Sequence, residues 1–207
     1  PLEYDYQEAR LGNLYTQEAF QLCKRLEFKN LLSRFENVSA EEETLEENFF
    51  TCEDLAGAES IFEKAASCGH VGIDLLMDDE DVYGLGIALT KEEIYYIPSE
   101  GLITGEYLCG KVQDLAETVI LCAMDIKALL KHVRISDASR IFDTGIGVYL
   151  LNPLKSSYSY DDVAREYLDG SIFPSREDLL GKTSFRKAWE ESREGLFRYA
   201  CYVAYTV

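Results

Sequence analysis

Three apolar runs dominate the middle of the chain: VGIDLL (71–76), VYGLGIAL (82–89) and IYYIP (94–98), separated by the polar stretches DDED and TKEE. Runs of this length, rich in β-branched and aromatic residues, read as strands, and connections this short join only antiparallel neighbours. The period then changes. Leu108, Val112 and Leu115 mark a helix, VILCAM (119–124) a buried strand, and DIKALLKHV (125–133) a further helix. SRIF (139–142) predicts a short strand leading into a helix over DTGIGVYLLNP that Pro153 ends. Upstream, Tyr15, Ala19, Leu22, Leu26 and Leu31 recur as on an amphipathic helix running to about Phe35. Thr51 with Asp54 resembles a capping box that opens a helix carrying Leu55, Ala58, Phe62, Ala65 and Ala66. The last quarter reads as helices: Tyr160 to Leu168 closed by Gly170, a short one capped by Ser175 and Asp178, and one long helix from Phe185 through Val203. Strands and helices in this order predict an α/β fold, a mixed sheet with an antiparallel hairpin edge followed by parallel strands and flanked by helices.

Charge and cysteine usage narrow the classes. With 20 Lys+Arg against 38 Asp+Glu in 207 residues, the net charge is −18, which repels phosphate backbones and disfavours a free-standing nucleic-acid binder. From Phe35 to Glu63 the chain is acidic and holds no Lys or Arg, which reads as a solvated linker or as an acidic partner surface. The expected division is an entry helix with acidic linker over 1–50 and a domain over 51–207. The six cysteines at 23, 52, 68, 109, 122 and 201 show no metal-ligand spacing, and two His exclude a histidine-based zinc site. Free thiols fit a reducing, cytoplasmic setting. No apolar run is long enough for a membrane span, and a chain opening at Pro1 reads as a fragment of a longer one.

Asp74 lies between apolar neighbours in the first strand of the sheet, where a carboxylate is costly unless it meets a metal or a donor. An acidic residue there, in a sheet of this order, is the layout of ribonuclease H-like nucleases. The chain resembles the 3'-to-5' exonuclease (proofreading) domain of bacterial DNA polymerase I, the family A polymerase. LEFKNLLSRF (26–35) is similar to the segment following that family's 5' nuclease, and VGIDLL, GLGIAL and YYIP to the first exonuclease strand and hairpin. FDTGIGVYLLNP (142–153) is close to an FDTMIASYLLNP-like segment, YDDVAREYL (160–168) to an LDDLAREYL-like helix, and FRYACYVAYTV (197–207) falls at a helix of the form RYAAEDADVT. The resemblance places the end of the chain just before the polymerase fingers, palm and thumb.

An active domain of this family needs carboxylates to hold two divalent ions about 3.5 to 4 Å apart. The resemblance puts the first motif, D-x-E, on Asp74-Leu75-Leu76; the first acid is present and the Glu position holds Leu76. The second motif's Asp falls at Leu129, two places after Lys127. In the third, Y-x-x-x-D, Tyr199 is present and Val203 stands at the Asp. Of four ligands only Asp74 remains, with Tyr199 as a vestige of the group that orients the attacking water. Asp78, Asp79, Asp81, Asp125 and Asp143 are possible substitutes, but turn solvation and helix capping explain them as well. Two loops also look shorter than the family's, after Asp74 and over Lys127 to Ile135.

The resemblance therefore implies a domain without proofreading activity, with no metal or other cofactor of its own, beside a polymerase domain that uses Mg2+. Its expected partner is that polymerase domain in the same parent chain, with DNA met through the parent and no membrane. Exposed apolar surface is expected at Tyr199 to Val207, where the polymerase would attach. The alternatives are a residual Mg- or Mn-dependent 3'-5' exonuclease using Asp74 with non-standard acids, and an interaction module docking a basic partner on the acidic segment.

Overall fold

The computed structural model describes residues 14–26, 28, 31, 35, 45–52, 54–79, 81–168, 171 and 173–207. They belong to two units, Pro1–Glu47 and Asn48–Val207. In the first, helix α1 spans Gln17–Arg25, and Phe35 is buried with Tyr15 and Phe20 edge-on to its ring, centroids 5.2 and 5.6 Å away. The helix ends well short of Phe35, and Leu22, Leu26 and Leu31 of the expected apolar face are exposed. Residues 36–44 and 53 of the acidic run lie outside the described residues.

The second unit is built on six strands: β1 (Phe49–Thr51), β2 (His70–Met77), β3 (Val82–Ala88), β4 (Ile94–Pro98), β5 (Ile120–Ala123) and β6 (Ile141–Asp143). Their order in the sheet is β1-β4-β3-β2-β5-β6. The pairs β2–β3 and β3–β4 are antiparallel, and β2–β5, β5–β6 and β1–β4 are parallel. This is the expected mixed sheet with one strand more, β1, in a stretch read as linker. The capping-box reading fails with it: Thr51 lies in β1, and Asp54 caps helix α2 (Leu55–Ala66) by accepting from the Gly57 amide at 2.7 Å.

Helix α2 and α3 (Gly105–Leu115) cover one face of the sheet. Their Ala58, Phe62, Leu108 and Val112 pack in one cluster with Val71, Ile73 and Leu75 of β2 and Leu85 and Ile87 of β3. Removing such side chains from water is the main stabilising term. Glu59 ties the two helices together, its carboxylate accepting from Tyr107 Oη at 2.9 Å and from Lys111 Nζ at 2.5 Å.

The remaining helices are α4 (Ile126–Leu129), α5 (Thr144–Leu151), α6 (Tyr160–Tyr167), α7 (Arg176–Leu180), α8 (Phe185–Glu191) and α9 (Arg193–Thr206). The helix expected over 125–133 is a single turn, followed by hydrogen-bonded turns. The long last helix is two, parted at Ser192, whose backbone (φ −145°, ψ 61°) is not helical. The Ser175–Asp178 capping box forms as expected, and Gly170 lies outside the described residues.

Helix α9 covers the second face of the sheet and packs on β2, β3 and β4. Its approach depends on glycine: a Cβ at Gly72 would lie 2.0 Å from the Ala204 carbonyl oxygen, and one at Gly86 2.3 Å from that of Ala200. Neither backbone oxygen can yield without moving the helix. Gly86→Ala is therefore expected to lower stability by about 3 kcal/mol, an overpacking cost, read as a lower denaturation midpoint with an unchanged slope.

The surface holds a second surprise. Ala200 to Ala204 and Thr206 are buried, so the apolar face expected at Tyr199 to Val207 is not exposed. Exposed apolar side chains gather instead on and beside α5, at Phe142, Ile146, Tyr149, Leu150, Leu151 and Leu154, the last 94% exposed. No helix among the described residues is long and apolar enough to cross a membrane.

Candidate functional site

Strand β2 points alternate side chains at opposite faces. Val71, Ile73 and Leu75 join the α2/α3 core, while Gly72, Asp74 and Leu76 face the α9 side, where Gly72 meets Ala204. Asp74 lies opposite Gly86 in the β2–β3 ladder and so comes under α9 at Ala200, next to Tyr199. As a whole residue it keeps some contact with solvent, but its Oδ2 is shut away from water and has no hydrogen-bond partner. The atom's burial governs its charge, and it pushes the carboxyl up from 3.8 to about 7. Tyr199 is also raised, by burial first and then by the negative charge of Asp74 nearby.

Asp74 and Tyr199 line a pocket of about 330 Å³ that opens between the end of β2, the β5–α4 connection and α8. Leu129, 2% exposed, stands in its wall, and Met77, Met124 and Phe185 are among the other apolar residues that line it. The ring of Phe185 lies 5.8 Å from that of Tyr199, which Tyr160 contacts edge-on from another side at 5.5 Å. Six of the positions singled out in the sequence thus meet around one space: Asp74, Leu129 and Tyr199, and the substitute acids Asp78, Asp79 and Asp125. Leu76 and Val203 do not line it; they are 0% and 2% exposed, sealed between sheet and helix.

Four of the five other acids have partners. Asp78 accepts from the Asp81 amide at 2.9 Å and from Tyr83 Oη at 2.6 Å, and Asp79 pairs with Lys131 at 2.9 Å across the pocket mouth. Asp125 caps α4 through the Ala128 amide. Asp143 caps α5 through the Ile146 amide and also accepts from the Ile126 amide, tying β6 to α4. Capping and turn duties thus account for them. Among the described residues, no three His, Cys, Asp or Glu side chains are grouped so that they could share a metal ion. The orphan Oδ2 of Asp74 fits one ligand of such a site, but a hard dication takes six or more oxygens and Leu129 offers none. The residues present do not fit a two-metal centre.

Sequence reasoning missed Phe185, Lys131 and His132, which also line the pocket. Ser184, which caps α8 by accepting from the Lys187 amide, is the sequence signal that marks Phe185 as the start of a helix. The thiols stay unremarkable: all six are free, and burial raises Cys109 and Cys122, away from the reactive thiolate.

No protein-family model and no curated protein sequence matches the chain. Solved structures do. The EXO domain of Nibbler from Aedes aegypti superposes with a TM-score of 0.55 at 11% identity, over 76% of this chain and 83% of that one. The catalytic core of RRP6 from Trypanosoma brucei gives 0.51 at 12%, over 76% and 45%. The POL domain of Pol1 from M. smegmatis, in complex with DNA primer-template and dNTP, gives 0.51 at 14%, over 76% and 26%. This chain thus spans about a quarter of that Pol1 chain. At such identities the likeness is one of fold: the second unit has the ribonuclease H-like fold of exonuclease domains.

Proposed function

We propose that this chain is the 3'-5' exonuclease-like domain of a DNA polymerase I, that it has lost its metal cage and with it proofreading, and that it serves as a structural neighbour of the polymerase domain in DNA replication and repair in the cytoplasm. The observation that carries the reading is the set of residues at the family's ligand positions: Asp74 alone is acidic, Leu129 stands in the pocket wall, and aliphatic Leu76 and Val203 are buried away from it. Apolar groups at three ligand positions cannot neutralise two dications or orient a hydroxide between them. The Pol1 similarity and the sequence motifs favour the parentage, and the exposed apolar side chains around α5 offer a surface for a neighbouring domain. The parent would carry its Mg2+ in the polymerase domain.

One observation favours the alternative of a residual Mg- or Mn-dependent nuclease: Asp74 Oδ2 has no partner within the protein. Calorimetric titration with Mn2+ separates the two. The expected result is no saturable binding that differs between the protein and its Asp74→Ala variant. Asp74-dependent binding in the micromolar range would favour the residual enzyme.

A further inference from the structure

The poor fit to metals leaves a pocket that has to be explained on its own chemistry. Its volume of about 330 Å³ lies at the lower end of the range for small-molecule sites. Its lining sets Met124, Phe185 and Tyr199 beside four carboxylates, that of Asp74 among them, and the chain around it carries −18. We infer that the Asp74 pocket binds a small organic cation, an ammonium or amidinium on an apolar or aromatic stem, supplied by a free amine or by a Lys or Arg side chain of a peptide. This rests on the reading that the pocket is no longer a two-metal centre.

A hard dication and an organic cation make different demands. The first needs several oxygens and keeps its water. The second needs one carboxylate for a charge-assisted hydrogen bond and a weakly polar wall for its stem, with π faces in reach. Asp74 provides the former, and Met77, Met124, Leu129, Phe185 and Tyr199 the latter. The charged groups at the site favour a cation overall. Asp78, Asp79 and Asp125 line it from the β2–β3 turn and the start of α4. Against them stand Lys131, paired with Asp79, and His132. From α7, Arg176 donates to the Thr183 carbonyl and lies 5.2 Å over the Phe185 ring, and from α6 Asp161 acts on Tyr199 with the opposite sign.

Benzamidine and its neutral isostere benzamide make the test, by calorimetry on the whole chain, with a short Arg-containing peptide as a third probe. Benzamidine is expected to bind about tenfold or more tighter than benzamide, the worth of a charge-assisted bond, and Asp74→Asn is expected to erase that difference. Ala128→Leu narrows the pocket while leaving Asp74 in place, and is expected to abolish benzamidine binding. Binding of the peptide as well would assign the ligand to a side chain, and its failure to bind would assign it to a free amine. Equal affinity for benzamide, a difference that survives Asp74→Asn, or benzamidine binding untouched by Ala128→Leu would each overturn the inference. Mn2+ displacing benzamidine would instead overturn the loss of the metal cage. Failure of both ligands to bind would overturn the cation site alone.

Discussion

Leu76→Glu and Val203→Asp, which put back the acids that the family pattern calls for, are each expected to destabilise the domain by about 3 to 5 kcal/mol at neutral pH. Leu76 is 0% exposed on the α9 side of β2, opposite Gly84 in the ladder, and Val203 is 2% exposed on α9. Neither lines the pocket around Asp74, so a carboxylate at either place would have no water, no donor and no ion within reach. The lost packing of the aliphatic side chain adds to this. Against a typical total stability of about 5 to 15 kcal/mol the loss is large enough to shift a guanidinium melt by a substantial fraction of its midpoint. Leu129→Asp is the internal comparison, since Leu129 is as buried as Val203 but lines the pocket. A loss below about 1 kcal/mol in Leu76→Glu, a surface-like value, would show that the position is not sealed.

The second large effect concerns Asp74 itself. Its carboxyl is raised by burial from 3.8 to about 7, so between these values the folded state holds a proton that the unfolded state has released. The folded state binding more protons means that stability falls as pH rises through this window. The contribution is neutral below about 4 and unfavourable above about 7. Each unit of such a gap corresponds to about 1.4 kcal/mol. Allowing for the residue's partial contact with solvent, the cost at pH 8 is about 2 to 4 kcal/mol. Asp74→Asn removes the charge and keeps the shape. It is expected to be more stable than the parent at pH 8 by that amount and to match it below pH 4, as read from denaturant melts across the range. Parallel stability curves for the two proteins would show that Asp74 is satisfied in the folded state.

The sheet was largely legible because its central strands are apolar runs, broken only by Asp74 in β2, with short charged turns between β2, β3 and β4. Strand β1 was not, because Phe49 to Thr51 are three residues at the end of an acidic stretch, and their pairing with Ile94 to Tyr96 is a tertiary fact. The division of the last helix at Ser192 was hidden because apolar residues continue at helical spacing on both sides of it. The exposure of α5 was hidden for a different reason: GIGVYLL is apolar all round, which reads as a buried helix, yet Ile146, Leu150 and Leu151 face solvent. At the site, the likeness to known motifs aligned Asp74, Leu129 and Tyr199, and the fold brings all three to one pocket. Periodicity alone could not have done so, since they come from a strand, a single helical turn and the last helix. Nor could it separate Leu129, buried yet lining the pocket, from Leu76 and Val203, buried away from it.

The central claim, that an exonuclease fold persists here without its chemistry, is tested most directly by incubating a 5'-labelled single-stranded oligonucleotide with the protein in millimolar Mg2+ or Mn2+, beside the Asp74→Ala variant. The account predicts no shortening of the labelled strand beyond that seen with the variant. Stepwise loss of nucleotides from the 3' end that disappears in Asp74→Ala would contradict it, and would mean that other acids complete the cage despite Leu76, Leu129 and Val203.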